Sequence, residues 1–317
     1  MTEKKDMGKI LRQFGLLFVV LIIIVVMSFL SPVFMTQKNI INILRQISMN
    51  GILAVGMTFV ILTGGIDLSV GSVVGITGVI CGSFLERGMA WPLVCLIALV
   101  MALLCGFING YLISYVGFQP FIATLSTMTI GRGFALAYSN GKPYMIKDPS
   151  FLVFGQGYTP LFHIPVPVVL LVLVCILGLV ILNTTSFGRY VYAIGGNKNA
   201  AKLSGVRTQR IEMMVYIISS ICACVVGMIL AARISSGQPT AGESYEMDAI
   251  AATAIGGTSM SGGIGSLTGT VLGFVIIGLL SNSMNLMNIN SFYQQIVKGL
   301  LIIVAVFLDM RTKGSKN

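Results

Sequence analysis

The sequence predicts an all-α, polytopic membrane protein of about ten transmembrane helices, and three observations carry that reading. Of 317 residues, 56% are hydrophobic and only 9% charged, against roughly 25% charged in a soluble domain. So few charges cannot cover a water-facing surface, so most of this surface faces lipid. Apolar runs of near-spanning length, roughly 20 residues, recur along the whole chain. The twenty Lys and Arg are clustered, with four in residues 1–13, five in 184–212 and three in 309–317, as basic residues are at cytoplasmic loops. That placement, rather than nucleic-acid binding, accounts for the net charge of +10.

The first run, Phe14 to Leu30, follows Lys4, Lys5, Lys9 and Arg12. It is longer than a signal-peptide core, and Ser31-Pro32 offers no small-x-small cleavage site. It is therefore expected to be a retained first span that starts in the cytoplasm. Further helices are predicted near 40–62, 67–85, 92–116, 121–139, 166–183, 211–233, 248–260, 266–286 and 292–309. Pro32, Pro92, Pro120, Pro165 and Pro239 stand before or between runs, where a missing backbone donor costs least. The run 248–260 is short for a span and reads equally as a half-helix or re-entrant segment. Nothing along residues 1–317 leaves room for a sizeable soluble domain, so the chain is read as one transmembrane domain.

An even number of spans puts both termini on one side. With that side cytoplasmic, segment 140–165 and its Lys147 fall outside, as does the stretch from Ser235 to Tyr245, while 184–212 falls inside. Every basic cluster then lands in the cytoplasm. The chain is predicted to cross its membrane many times, with both termini cytoplasmic.

Glycines mark close packing. Gly71, Gly75, Gly78 and Gly82 form one stripe, and Gly265, Gly269 and Gly273 another at four-residue spacing. Such stripes let helix backbones approach in lipid. The segment Gly64-Gly65-Ile66-Asp67-Leu68-Ser69-Val70-Gly71-Ser72 is echoed by Gly256 to Ser266, with two residues inserted. Broken helices at matching positions point to a transport pathway, although glycine-rich segments also match by chance.

Few residues bear chemistry. Cys81, Cys95, Cys105, Cys175, Cys222 and Cys224 all lie in apolar runs, without metal-ligand spacing to the lone His163, and read as small buried hydrophobes. Neither a catalytic cluster nor a metal site is expected. Asp67 and Asp248 stand at helix starts, where a carboxylate caps free amides. No acid falls inside a predicted span, which argues against an ion-coupled secondary carrier for a small neutral solute, the alternative reading. The uncharged polar residues Thr58, Asn109, Gln119, Thr124, Ser126, Thr127, Asn282, Asn285 and Gln294, with Asp67 and Ser69 at the break, are candidates to line a route for a hydroxyl-rich solute. They serve equally as interhelical hydrogen bonds. Arg132 and Lys298 lie inside helices and need partners that the sequence does not identify.

Segment 184–212 contains Asn197 as a predicted N-cap, a short amphipathic helix from Lys198 to Ser204 (Lys198, Asn199, Ala200, Ala201, Lys202, Leu203, Ser204) and Gly205 as its stop. Ala200-Ala201 offers a small face for a partner's groove, and Lys198 and Lys202 share a side. A loop resting on headgroups is the simpler reading of the same residues.

Taken together, Gly64 to Ser72, the Ala193-Ile194-Gly195-Gly196-Asn197 stretch with Ala200-Ala201 and Gly205, and Gln238-Pro239-Thr240-Ala241-Gly242 through Gly265 resemble the ribose-type permease family of bacterial ABC monosaccharide importers. The resemblance spans essentially the whole chain. It implies a ten-helix homodimer, a cytoplasmic ATPase with two fused nucleotide-binding domains, and an extracytoplasmic sugar-binding protein. It also implies that Asn197 to Gly205 couples the permease to that ATPase. No Gly-x-x-x-x-Gly-Lys-Ser/Thr loop occurs, and Gly8-Lys9 and Gly141-Lys142 lack the motif. ATP and Mg²⁺ are accordingly expected on the partner, with no cofactor in this chain.

Overall fold

The structure is a computed structural model that describes residues 2–160 and 163–314, with side chains described for 14–160 and 163–307. The basic side chains of 1–13 and 309–317, on which the terminal orientation rests, lie outside the described side chains.

Thirteen α-helices account for the described fold. They are α1 (Thr2–Leu30), α2 (Gln37–Leu62), α3 (Val70–Glu86), α4 (Trp91–Tyr111), α5 (Pro120–Ser139), α6 (Pro149–Gln156), α7 (Val166–Thr184), α8 (Ser186–Gly196), α9 (Lys198–Leu203), α10 (Thr208–Arg233), α11 (Tyr245–Ile255), α12 (Leu267–Leu286) and α13 (Ser291–Gly314). A π-turn, Leu112–Val116, extends α4. Among them α2, α4 with its π-turn, α7, α10 and α12 are long and apolar enough to cross a membrane, and the apolar stretches Phe14–Leu30, Val70–Glu86 and Ser291–Phe307 are shorter.

The architecture departs from the sequence reading in three places and decides a fourth that the sequence left open. Segment 140–165 carries α6, whose cap is Asp148, accepting from the amides of Ser150 and Phe151. Segment 184–212 holds two helices, α8 and α9. The fold is not strictly all-α: β1 (Tyr144–Met145) pairs antiparallel with β2 (Ser236–Gly237). The run expected at 248–260 is α11, only 11 residues long, or roughly 16 Å of helix, which is about half a bilayer core. Its chain leaves the helix at Gly256 because the glycines that follow adopt backbone that side chains avoid, Gly257 at φ 92°, Gly262 at 82° and Gly263 at 72°.

Helix α2 is the axis of the bundle. Every residue from Ile47 to Leu62 is buried, as expected of a helix that is apolar on all sides and surrounded by others. It packs on α7, α10, α11 and α12, while α10 also packs on α3 and α4. Helix α7 is apolar all round as well, yet buries only Pro167, Leu171, Gly178 and Leu182. Its remaining apolar surface, like that of α1, α4 and α13, faces outward, as suits helices that meet lipid.

The glycine stripes lie between elements of this chain. A Cβ at Gly269 or Gly273 would run into the backbone of Gly256 or Ala252 on α11, and one at Gly71 would meet Glu246 and Gly242. At Gly75 the neighbours would be Arg132 Nη1 at 2.7 Å and the carbonyls of Ala241 and Pro239. Gly265 lies just before α12, with Thr258 as its neighbour.

Candidate functional site

The two echoed segments meet. Each follows a break in the helical path: α2 stops at Leu62 and α3 starts at Val70, while α11 stops at Ile255 and α12 starts at Leu267. Gly263 N donates to Leu62 O at 2.9 Å, bridging the breaks. The end of α8 lies against this junction. Gly195 packs so closely on Leu62 O and Gly263 N that a Cβ has no space, and Tyr192 Oη donates to Gly265 O at 3.1 Å.

Helix α9 follows directly. Asn197 Oδ1 accepts from Ala200 N at 2.9 Å, which satisfies one of the orphan amides at the helix start. Gly205 is left-handed at φ 83°, and Val206 N donates back to Ala201 O at 3.1 Å, closing the helix. One expectation for this helix needs correction, and one of its cations has a partner that the sequence did not show. Ala201 is buried against its own chain at 6% exposure, whereas Leu203 is 90% exposed; the outward apolar group is Leu203, beside exposed Ala200. Lys198 is not a free cation: its Nζ lies 2.7 Å from Glu212 Oε1 and 2.8 Å from Oε2. The pair ties α9 to the first turns of α10, since a buried carboxylate needs a partner.

Asp67, expected at a helix start, lies in the break between α2 and α3 rather than inside a helix, and that break is itself deep in the bundle. Asp67 is fully buried and meets Ser219 near the middle of the 26-residue α10. Sequence position at the head of an apolar run gave no hint of that depth. Its Oδ1 accepts from Ser69 N at 3.0 Å and Ser69 Oγ at 2.6 Å, and its Oδ2 from Ser219 Oγ at 2.7 Å. Such donors are what makes a buried carboxylate tolerable. Ser69 Oγ in turn accepts from Asn109 Nδ2 at 2.8 Å, and Asn109 Oδ1 from Thr127 Oγ1 at 2.7 Å. One chain of hydrogen bonds thus ties α5, α4, the α3 break and α10.

The other polar candidates divide into two groups. Thr58 Oγ1 lies 2.9 Å from Thr270 Oγ1, Thr124 Oγ1 donates to Pro120 O and Ile66 O, and Asn282 exchanges amide bonds with Asn39 at 2.9 and 3.2 Å. These polar atoms are spent between or within helices. Gln119, Ser126 and Asn285 are exposed, and Asn285 Oδ1 accepts from Gln294 Nε2 at 2.8 Å.

Both intrahelical cations now have partners. Arg132 Nη1 donates to Pro239 O at 2.6 Å and Ala241 O at 2.8 Å, and its Nη2 to Gly71 O at 3.2 Å. Its planar fork staples the α10–α11 connection onto α3. Lys298 Nζ lies 2.8 Å from both carboxylate oxygens of Asp248, linking α13 to α11. Sequence reasoning missed Ser219, Asn39, Thr270 and Glu212, because a polar partner across a bundle leaves no local signature.

A bundle with lipid-facing flanks, two helices broken where they meet, and a short-helix hairpin seated on the junction defines a polytopic membrane permease. A family model described as the permease component of branched-chain amino acid transport systems matches residues 39–306. The chain belongs to that permease family. It is 44% identical over 314 residues to the ribose import permease protein RbsC of Bacillus subtilis, covering 98% of this chain and 97% of that protein. It is 42% identical to RbsC of Escherichia coli K12, with 92% of each covered, and 34% identical to the xylose transport system permease protein XylH of the same strain, with 88% and 86% covered.

Proposed function

We propose that this chain is the membrane-spanning subunit of an ATP-driven importer that moves a monosaccharide, ribose or a similar sugar, into the cytoplasm. The observation that carries the reading is nearly full-length similarity at 42–44% identity to ribose import permeases. Helices α1, α2, α3, α4, α5, α7, α10, α11, α12 and α13 serve as the ten membrane segments, with α11 as a half-helix completed by loop 256–266. Both termini and the α8–α9 hairpin lie in the cytoplasm, and 140–165 lies outside.

A second copy of the chain completes the pathway. A sugar-binding protein delivers cargo to the outer face near 140–165 and 235–248. ATP and Mg²⁺ bind a separate ATPase with two fused nucleotide-binding domains, which docks on Asn197 to Gly205 through Leu203 and Ala200. Closure of the ATPase displaces α9, and Gly195 carries the displacement to Leu62 and Gly263, where the broken helices are free to re-set. This is alternating access by rigid-body movement. Gln119, Ser126 and Asn285, exposed on this protomer, are the residues proposed to face the sugar once the dimer forms.

The test is uptake of labelled ribose and xylose in cells that lack their own pentose permeases. Uptake should require the permease, its ATPase and its binding protein together, and should survive a protonophore while ATP is maintained. Uptake by the permease alone, abolished by the protonophore, would instead establish an ion-coupled carrier. Buried Asp67 is the observation that keeps that second reading in view.

A further inference from the structure

Beside α9 the chain forms a pocket of about 500 Å³, within the range of ligand sites. Its walls carry Lys198, Lys202, Arg207 and Arg210, with Ser114 and Tyr115 from the π-turn opposite. Only Lys198 has a carboxylate partner, Glu212; among the described residues no acid pairs with Lys202, Arg207 or Arg210. Three unneutralised cations around one concavity call for an anion.

From the wall of the pocket an apolar ridge runs along α4. Tyr115 on its wall stacks on Tyr111 with ring centroids 5.5 Å apart, and Tyr111 stacks on Phe107 at 6.1 Å. The ridge continues along exposed Leu104, Val100 and Leu96 of α4, the i, i+4 spacing of one helix face. Phe107 lies about 12 Å along the helix from Tyr115, within a helix long and apolar enough to cross a membrane. Stacked tyrosines at the level of cationic side chains are what a headgroup boundary selects.

We propose that this pocket binds an anionic phospholipid. The phosphate is held by Lys202, Arg207 and Arg210, and an acyl chain lies along the Tyr115–Tyr111–Phe107 ridge. Basic pockets between membrane helices recognise such headgroups through charge, while the ridge supplies what a free phosphate cannot use. Because Arg207 precedes α10 and Lys202 lies on α9, a bound lipid braces the hairpin against α4.

The test uses purified full-length permease in detergent, titrated with phosphatidylglycerol, phosphatidylcholine or glycerol phosphate and read by native mass spectrometry. Wild type should retain phosphatidylglycerol over phosphatidylcholine. The double variant R207Q/R210Q should lose affinity by about fivefold per cation, roughly 25-fold in all. Both arginines are exposed, so the variant should unfold at the wild-type temperature in lipid-free detergent; should it not, Lys202→Gln replaces it and should lose about fivefold. Tyr111→Ala should weaken phosphatidylglycerol and leave glycerol phosphate unchanged. Equal retention of both lipids, or unchanged affinity in the folded double variant, overturns the site. Glycerol phosphate binding as tightly as phosphatidylglycerol would make it a free-anion site and overturn the lipid. Displacement of phosphatidylglycerol by the ATPase at stoichiometric ratio would assign the cations to an acidic protein surface instead.

Discussion

Gly263 donates its amide to the carbonyl of Leu62 at 2.9 Å, so the loop that interrupts one helical path of this permease is joined to the last residue of α2, where the other path breaks. A carbonyl at the last turn of a helix has no partner within that helix. Here the partner is the left-handed loop of the other break, and Gly195 is pressed against both.

Gly195→Ala should therefore lower thermal stability by about 1–3 kcal/mol, the usual cost of overpacking. Differential scanning fluorimetry in detergent checks this. An unchanged unfolding temperature would mean that the α8 end has slack and transmits nothing to the junction.

Leu203→Asp should leave stability within about 0.5 kcal/mol, as surface changes usually do, because Leu203 is 90% exposed. Copurification with the ATPase should fall at least tenfold. Ala201→Asp, by contrast, places a charge at a site 6% exposed within its own chain, and should unfold the hairpin rather than report on docking. If Leu203→Asp keeps the ATPase at wild-type occupancy, α9 does not dock through this face.

Lys298→Gln should cost about 3–5 kcal/mol, because it leaves Asp248 charged, buried and alone. The double replacement Lys298→Met with Asp248→Leu should recover most of that loss. A double-mutant cycle on the unfolding free energy checks both; additive losses would show that the pair is not coupled.

Asp67→Ala leaves the donors of Ser69 and Ser219 unmatched and should destabilise by at least about 1–3 kcal/mol, with Asp67→Asn milder. Chemical denaturation in detergent gives the comparison. If Asp67→Ala is as stable as wild type, the buried network is not what holds the α3 break.

For topology, a variant freed of its six native cysteines should react with an impermeant thiol reagent from outside at Lys147→Cys and remain unlabelled at Asn199→Cys. Both positions are exposed on the protein, so in cells without the ATPase a difference in labelling reports the membrane. Labelling at 199 in sealed cells would invert the proposed orientation.

Composition and hydropathy were enough to establish a helical membrane protein, because lipid demands apolar runs and internally satisfied backbone. The Asn197 cap and the Gly205 stop were equally legible, since caps are local chemistry. The depth of Asp67, the inward turn of Ala201 and the partners of Arg132 and Lys298 were not. Each depends on a residue 50 or more positions away, or on which face of a helix six residues long turns inward. The 248–260 run shows the division most clearly: its shortness and the glycines after Ile255 were visible in the sequence, but the bond from Gly263 to Leu62 that brings loop 256–266 onto the other break was not. Hydrophobicity is a property of residues and can be read along a chain. Burial of a charge is a property of its neighbours, and only the tertiary structure supplies them.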